Sequence, residues 1–298
     1  LELPWPIKLR ITAVLALGVV VIGIWAWPLA APPDPIDIVA AYQLTPLKAL
    51  GLVALSAIVG VLAYLIPWPY GRQIGPLAVP AGLAVWALRS GPIARLMQRA
   101  PDLGLRLGVF MRLRYDSIFW LVMVAAGIAG VWLAAYIWPS DCKDPADVLK
   151  KGRPRSRLLS DSLIGLAFSL AIAYLLVAAF AQGTGVIAAS IPTQPAARQI
   201  AFAVLVAFWA AGFLTARFLR LGPYGPIIAS ALLPMMAIQL FARPDIIGPV
   251  IRQYPATCLP KAILAVLPIQ MVSFGAIGAI AGYWTAVRFE YWKRNLAG

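Results

Sequence analysis

The residues of this chain whose types and spacing could serve a function fall into two matched sets. Tyr70, Gly71, Pro80 and Arg89 stand in PYGRQIGPLAVPAGLAVWALR, at 69–89, and Tyr224, Gly225, Pro234 and Arg243 stand in PYGPIIASALLPMMAIQLFAR, at 223–243. Corresponding residues are 154 positions apart. None is a carboxylate, thiol or imidazole, so what they offer is backbone geometry and passage rather than covalent catalysis. Pro-Tyr-Gly at the head of an apolar segment makes a turn: proline fixes φ, glycine permits positive φ, and tyrosine anchors at the membrane interface. The interior proline removes a helix hydrogen bond and kinks the helix. The closing arginine can snorkel to the far interface. In lipid a freed carbonyl needs another partner, so such a segment faces protein or a water-filled cavity. The pair therefore reads either as two kinked helices packed centrally or as two broken helices lining a shared solute path. Gln239 and Gln270, within or beside apolar segments of the second half, join these candidates as cross-helix glue or path-lining amides.

Other chemistry is excluded by what the chain lacks. It has no histidine and two cysteines, Cys142 and Cys258, too few for a zinc or iron–sulfur site. Imidazole-based triads and haem ligation go with the missing histidine. Phosphate-loop, zincin and nucleophile-elbow motifs are missing, and every lysine lies in a loop or at a segment end. No cofactor, metal site or catalytic residue is expected. Arg217, Arg288 and Glu290 sit near segment ends, where snorkelling explains them, and Asp116 caps or pairs at the mouth of a span.

The elements that position these residues are set by composition. Hydrophobic residues make up 62% and charged residues 12%, with a mean hydropathy of +0.84. Soluble domains carry about 25% charged residues, so this chain cannot cover a water-exposed globule. Its net charge of +14, from 25 Lys+Arg against 11 Asp+Glu, suits anionic lipid headgroups flanking membrane spans. Nucleic acid is not an expected partner, because no soluble domain carries a basic face. The lipid bilayer is the expected partner, with a homo-oligomer or a membrane complex compatible with its small-residue stretches.

Eight segments read as spans: 11–28, 47–66, 73–88, 117–138, 162–181, 200–219, 226–242 and 262–287. A crossing helix needs roughly 20 apolar residues, and 73–88 and 226–242 lie near the lower limit of about 17. The opening run resembles a signal peptide but lacks a small-x-small cleavage site, so it reads as a retained first span. Arg95, Arg99, Arg106, Arg112 and Arg114 alternate with apolar residues over 89–115, which predicts an amphipathic interfacial helix. The proline-rich 244–261 reads as a loop. Ser160 or Asp161 reads as the N-cap of the span after the polar 139–160 stretch.

Beyond the twin segments, IAGVW at 128–132 echoes IAGYW at 280–284. Two landmarks in the same order predict duplication: a first membrane repeat over 1–140, a basic linker over 141–160 and a second repeat over 161–298. The expected fold is an all-α polytopic helix bundle of about eight spans. The alternative has six spans plus two re-entrant helices. Eight spans make the halves parallel, with 14 Lys+Arg on the side of the termini and 11 on the other; six make them inverted, with 13 and 12. An inner (plasma) membrane of the bacterial type with cytoplasmic termini is the expected setting. The first functional expectation is a small-solute transporter or channel with a path between the repeats. A non-catalytic scaffold or subunit of a membrane assembly is the alternative, and a lipid-handling role the third.

Overall fold

The structure, a computed structural model, describes residues 5–32, 34, 37–93, 100, 102–139, 158–181, 195–253 and 261–296. Within these the chain is all-α. The principal helices are α1 (Trp5–Gly18), α2 (Pro46–Leu65), α3 (Ala78–Arg89), α4 (Leu103–Ile137), α5 (Leu158–Phe180), α6 (Ala197–Leu219), α7 (Tyr224–Phe241), α8 (Pro244–Gln253) and α9 (Pro268–Leu296). The first span continues beyond α1 as a π-helical stretch, Val19–Trp25, and α3 is preceded by the helical turns Gly71–Ile74 and Gly75–Leu77. Among the described residues, six helices are long and apolar enough to cross a membrane: Trp5–Trp25, Pro46–Leu65, Leu103–Ile137, Ser160–Phe180, Ala197–Leu219 and Tyr224–Phe241. The protein is a polytopic membrane protein.

In the N-terminal half, the 71–89 segment follows the first span along its length. The Arg10 guanidinium lies 5.6 Å from the Tyr70 ring centre, Gly18 abuts Ala78, and Gly23 abuts Gly82 and Val85. Trp27 then meets Trp86 at 6.4 Å and Arg89 at 5.2 Å. Contacts advance together, so the two segments run parallel. The same holds for α2 and α4. The turn at Ala41 and Tyr42 bonds to Asp116, Ala57 lies against Gly130, and Tyr64 Oη donates to the Trp138 carbonyl at 2.5 Å.

The C-terminal half is built from similar pairings. α6 and α9 are parallel: Leu205 meets Gly278, Trp209 meets Gly282, and the Arg217 guanidinium pairs with the Glu290 carboxylate. The start of α7 lies beside α5, where Gly225 approaches Leu166. Between the halves, α3 packs on α9, α7 packs on α4, and α4 meets α9. One continuous apolar core runs through all of these helices. Helices pack this closely in lipid because small residues let backbones approach.

Several expectations are corrected. Arginines from 106 onward lie on the same continuous helix as the span at 117–138, a 35-residue α4, because Arg112, Arg114 and Asp116 are charged but not helix-breaking. The expected 244–261 loop is helical over Pro244–Gln253, where Pro244 occupies the first helical position and loses no hydrogen bond there. α5 starts at Leu158, so Ser160 and Asp161 lie in its first turn instead of capping it. In α3 the irregularity attributed to Pro80 falls one turn upstream, at the 3₁₀ turn Gly75–Leu77, because a proline ring clashes with the carbonyl four residues before it. Pro234 is accommodated inside the continuous α7. Arg95, Arg99, Cys142, Cys258 and the 141–157 part of the linker lie outside the described residues.

Candidate functional site

The ten sequence candidates do not form one cluster; they occupy three places. The first is the core along the 71–89 segment. Gly71 is buried under Tyr64, whose carbonyl oxygen would lie 2.3 Å from an added Cβ, so only glycine admits this approach. Pro80 sits in an unbroken buried run from Leu77 to Ala84. Gln270 joins this segment from the other half: its amide donates to the Ala87 carbonyl at 3.3 Å and accepts from Leu267 N at 3.1 Å. It is 3% exposed, and bridging two helices is the glue expected of a buried glutamine. Pro234 is buried in α7.

The second place is the ends of the segments. Tyr70 carries the Arg10 guanidinium, Arg89 lies over Trp27, and Tyr224 packs edge-on against Trp132 at 5.6 Å, with Gly225 beside it. The third is a surface cluster at the end of α7. Gln239 Oε1 accepts from Arg114 Nη2 at 2.7 Å and its carbonyl accepts from Arg243 Nε at 3.3 Å.

Elsewhere in the core, the serine hydroxyls are satisfied close to home, while the buried Trp86 Nε1 has no hydrogen-bond partner among the described residues. Ser56 donates to the Leu52 carbonyl, Ser230 to Ile227, Ser273 to Gln270, and Ser169 to Gly165 while also meeting Thr215 at 3.1 Å. Residues Ile263 to Ala276 are buried without interruption. The centre of the molecule is thus lined by alanine, valine, leucine and glycine whose few hydroxyls already have acceptors.

A polar site that sequence reading identified only in outline is Asp116. Its carboxylate is 3% exposed and holds three donors: Ala41 N at 2.5 Å, Tyr42 N at 3.2 Å and Trp120 Nε1 at 2.7 Å. Ser90 Oγ accepts from Val39 N at 3.0 Å, and Gly91 N donates to the Asp37 carbonyl at 3.1 Å. Together they tie the buried Ile38–Val39–Ala40 strap onto α3 and α4. Partial burial raises the Tyr42 phenol above its ordinary value. Beside this strap stands an aromatic row, with Trp86 at 6.2 Å from Trp120 and Phe119 at 5.0 Å from it. The sequence put a carboxylate at the mouth of a span; partners 75 residues upstream were not legible there.

No family model, curated protein or solved structure matches the chain.

Proposed function

We propose that the chain is an internally duplicated membrane protein with four crossing segments in each half, serving as a non-catalytic scaffold or subunit of a membrane assembly. Duplication is supported by contacts that recur at one offset. Gly60 against Gly127 and Gly130 against Ala57 reappear 152 residues on as Gly212 against Ala279 and Gly282 against Trp209. The crossing number is supported by direction. Two helices that run the same way through a bilayer are joined by a segment that returns across it. α2 and α4 run the same way, as do α6 and α9, so 71–89 and α7 are the returning segments. Both termini then share a side with the linker, and the halves are related by an axis along the membrane normal. The 14 Lys+Arg of that side against 11 opposite favour a cytoplasmic placement in an inner, plasma-type membrane.

The observation that carries the scaffold reading is the buried centre, whose serine hydroxyls are satisfied by nearby backbone carbonyls. A conduit needs polar groups free to meet a solute, whereas Ser230 and Ser273 donate to carbonyls of their own helix. A transporter or channel remains the second reading, favoured by irregular backbone at depth. The π-helical Val19–Trp25 stretch faces the 71–89 segment with its 3₁₀ turn, and departures from α-geometry in lipid accompany cavities as well as close packing.

Substituted-cysteine access separates the two. With Cys142→Ser and Cys258→Ser as background, Ser230→Cys and Ser273→Cys should resist a small water-soluble thiosulfonate in native membranes and react only after denaturation. Rapid modification of either in the native state would support a conduit instead.

A further inference from the structure

We propose that Arg114 and Arg243, gathered on Gln239, form a specific binding site for the phosphate of an anionic phospholipid. This site stands independently of the scaffold reading. Arg114 comes from α4 and Arg243 follows α7, yet both guanidinium groups bond to one residue, Arg114 to the Gln239 side chain and Arg243 to its carbonyl. Arg114 Nε is buried and has no hydrogen-bond partner among the described residues. Lys261 adds a third cation next to the same helix end, its Nζ 6.0 Å from the Phe241 ring centre.

Like charges held this close repel, and the neighbouring acids do little to offset them. The Asp116 carboxylate, two residues from Arg114, is occupied by Ala41, Tyr42 and Trp120. Asp245 is exposed in the first turn of α8. The α7 C-terminus itself contributes a partial negative charge, which helps hold the cations in place. An oxyanion with several acceptor oxygens completes the set, because guanidinium groups bind phosphate through paired charge-assisted hydrogen bonds.

The flanking surface selects a lipid over a soluble anion. Met236 and Leu240 on α7 and Tyr115 and Ile118 on α4 are exposed apolar side chains on the membrane side of the cations. The place along the bilayer also fits. Arg114 lies 18 residues from Trp132, which meets Tyr224 near the opposite end of α7, a rise of about 27 Å. That is close to the hydrocarbon thickness of about 30 Å. A phosphate at Arg114 and Arg243 therefore sits at headgroup depth, with acyl chains along α4 and α7.

The test is native mass spectrometry of the purified full-length chain in detergent with added dioleoyl phosphatidylglycerol or dioleoyl phosphatidylcholine. Phosphatidylglycerol should bind in a one-to-one peak that phosphatidylcholine does not match. Each basic residue near an anionic headgroup contributes about fivefold, so R114Q/R243Q should weaken this binding about 25-fold. Arg72→Gln, an exposed basic change elsewhere, should leave it unchanged. If the double variant is not monodisperse, Arg243→Gln alone carries the test, with about fivefold expected. Equal binding of both lipids, or undiminished binding by R114Q/R243Q, would overturn the site. Full displacement of phosphatidylglycerol by millimolar inorganic phosphate would assign the cluster to a soluble anion and overturn the lipid assignment.

Discussion

Gly60→Ala is expected to destabilise the folded protein by about 3 kcal/mol, the upper end of ordinary overpacking costs. A Cβ at Gly60 would lie 2.0 Å from the Gly127 carbonyl oxygen, and one at Gly130 would lie 2.1 Å from the Ala57 carbonyl oxygen. Backbone meets backbone on both sides, so no rotamer change relieves the clash; α2 and α4 must separate. Gly212→Ala and Gly282→Ala should behave alike, with 2.5 Å to the Ala279 oxygen and 2.0 Å to the Trp209 oxygen. The control is Gly51→Ala, on the exposed side of α2 with nothing within 4 Å of the added carbon. Alanine is a better helix former by about 1 kcal/mol, so that change should be neutral or stabilising. Thermal unfolding in a mild detergent reads both signs. If Gly60→Ala stabilises as Gly51→Ala does, the α2–α4 contact is not as described.

The second large effect concerns the strap. Asp116→Ala removes the acceptor of three donors, and leaving buried donors unpaired costs about 1–3 kcal/mol each. A loss of at least about 3 kcal/mol is expected, with cleavage near 31–45 by added protease as the structural readout. Asp116→Asn should be milder. Its carbonyl can still accept from Ala41 and Tyr42, but its amide now opposes the Trp120 Nε1 donor. Trp120→Phe removes that donor, so D116N/W120F should lie closer to Trp120→Phe alone than additivity allows, by about 1–2 kcal/mol. Strict additivity of the two changes would mean that Asp116 and Trp120 do not act on each other.

How much of this was legible in the sequence follows from the physics of each feature. Apolar run length announces a membrane helix directly, and α2, α5, α6 and α7 fall within a few residues of the expected spans. Arg112, Arg114 and Asp116 interrupt the apolar text and so divide α4 by hydropathy, although charge does not interrupt helical hydrogen bonding. Pro244 and Pro249 read as helix breakers, which hides α8 in the sequence. The glycines at 60, 130, 212 and 282 are visible in the chain, but the partner each one abuts is not. In lipid every helix surface is apolar, so hydropathy carries no information about which faces meet. Of the ten candidate positions, Gln270 proved to bridge halves through the Ala87 carbonyl, whereas Gln239 and Arg243 turned out to share a surface with Arg114. Spacing within one segment could not show that convergence, because it depends on residues 125 apart.

The most direct test of the duplicated, eight-crossing arrangement uses the two native thiols. Cys142 follows α4 and Cys258 follows α8, so full crossings by 71–89 and α7 put them on opposite sides of the membrane, whereas re-entrant segments put them on the same side. An impermeant maleimide applied to intact cells, followed by peptide mapping against a permeabilised control, should modify one cysteine and spare the other. Modification of both from a single side would contradict it.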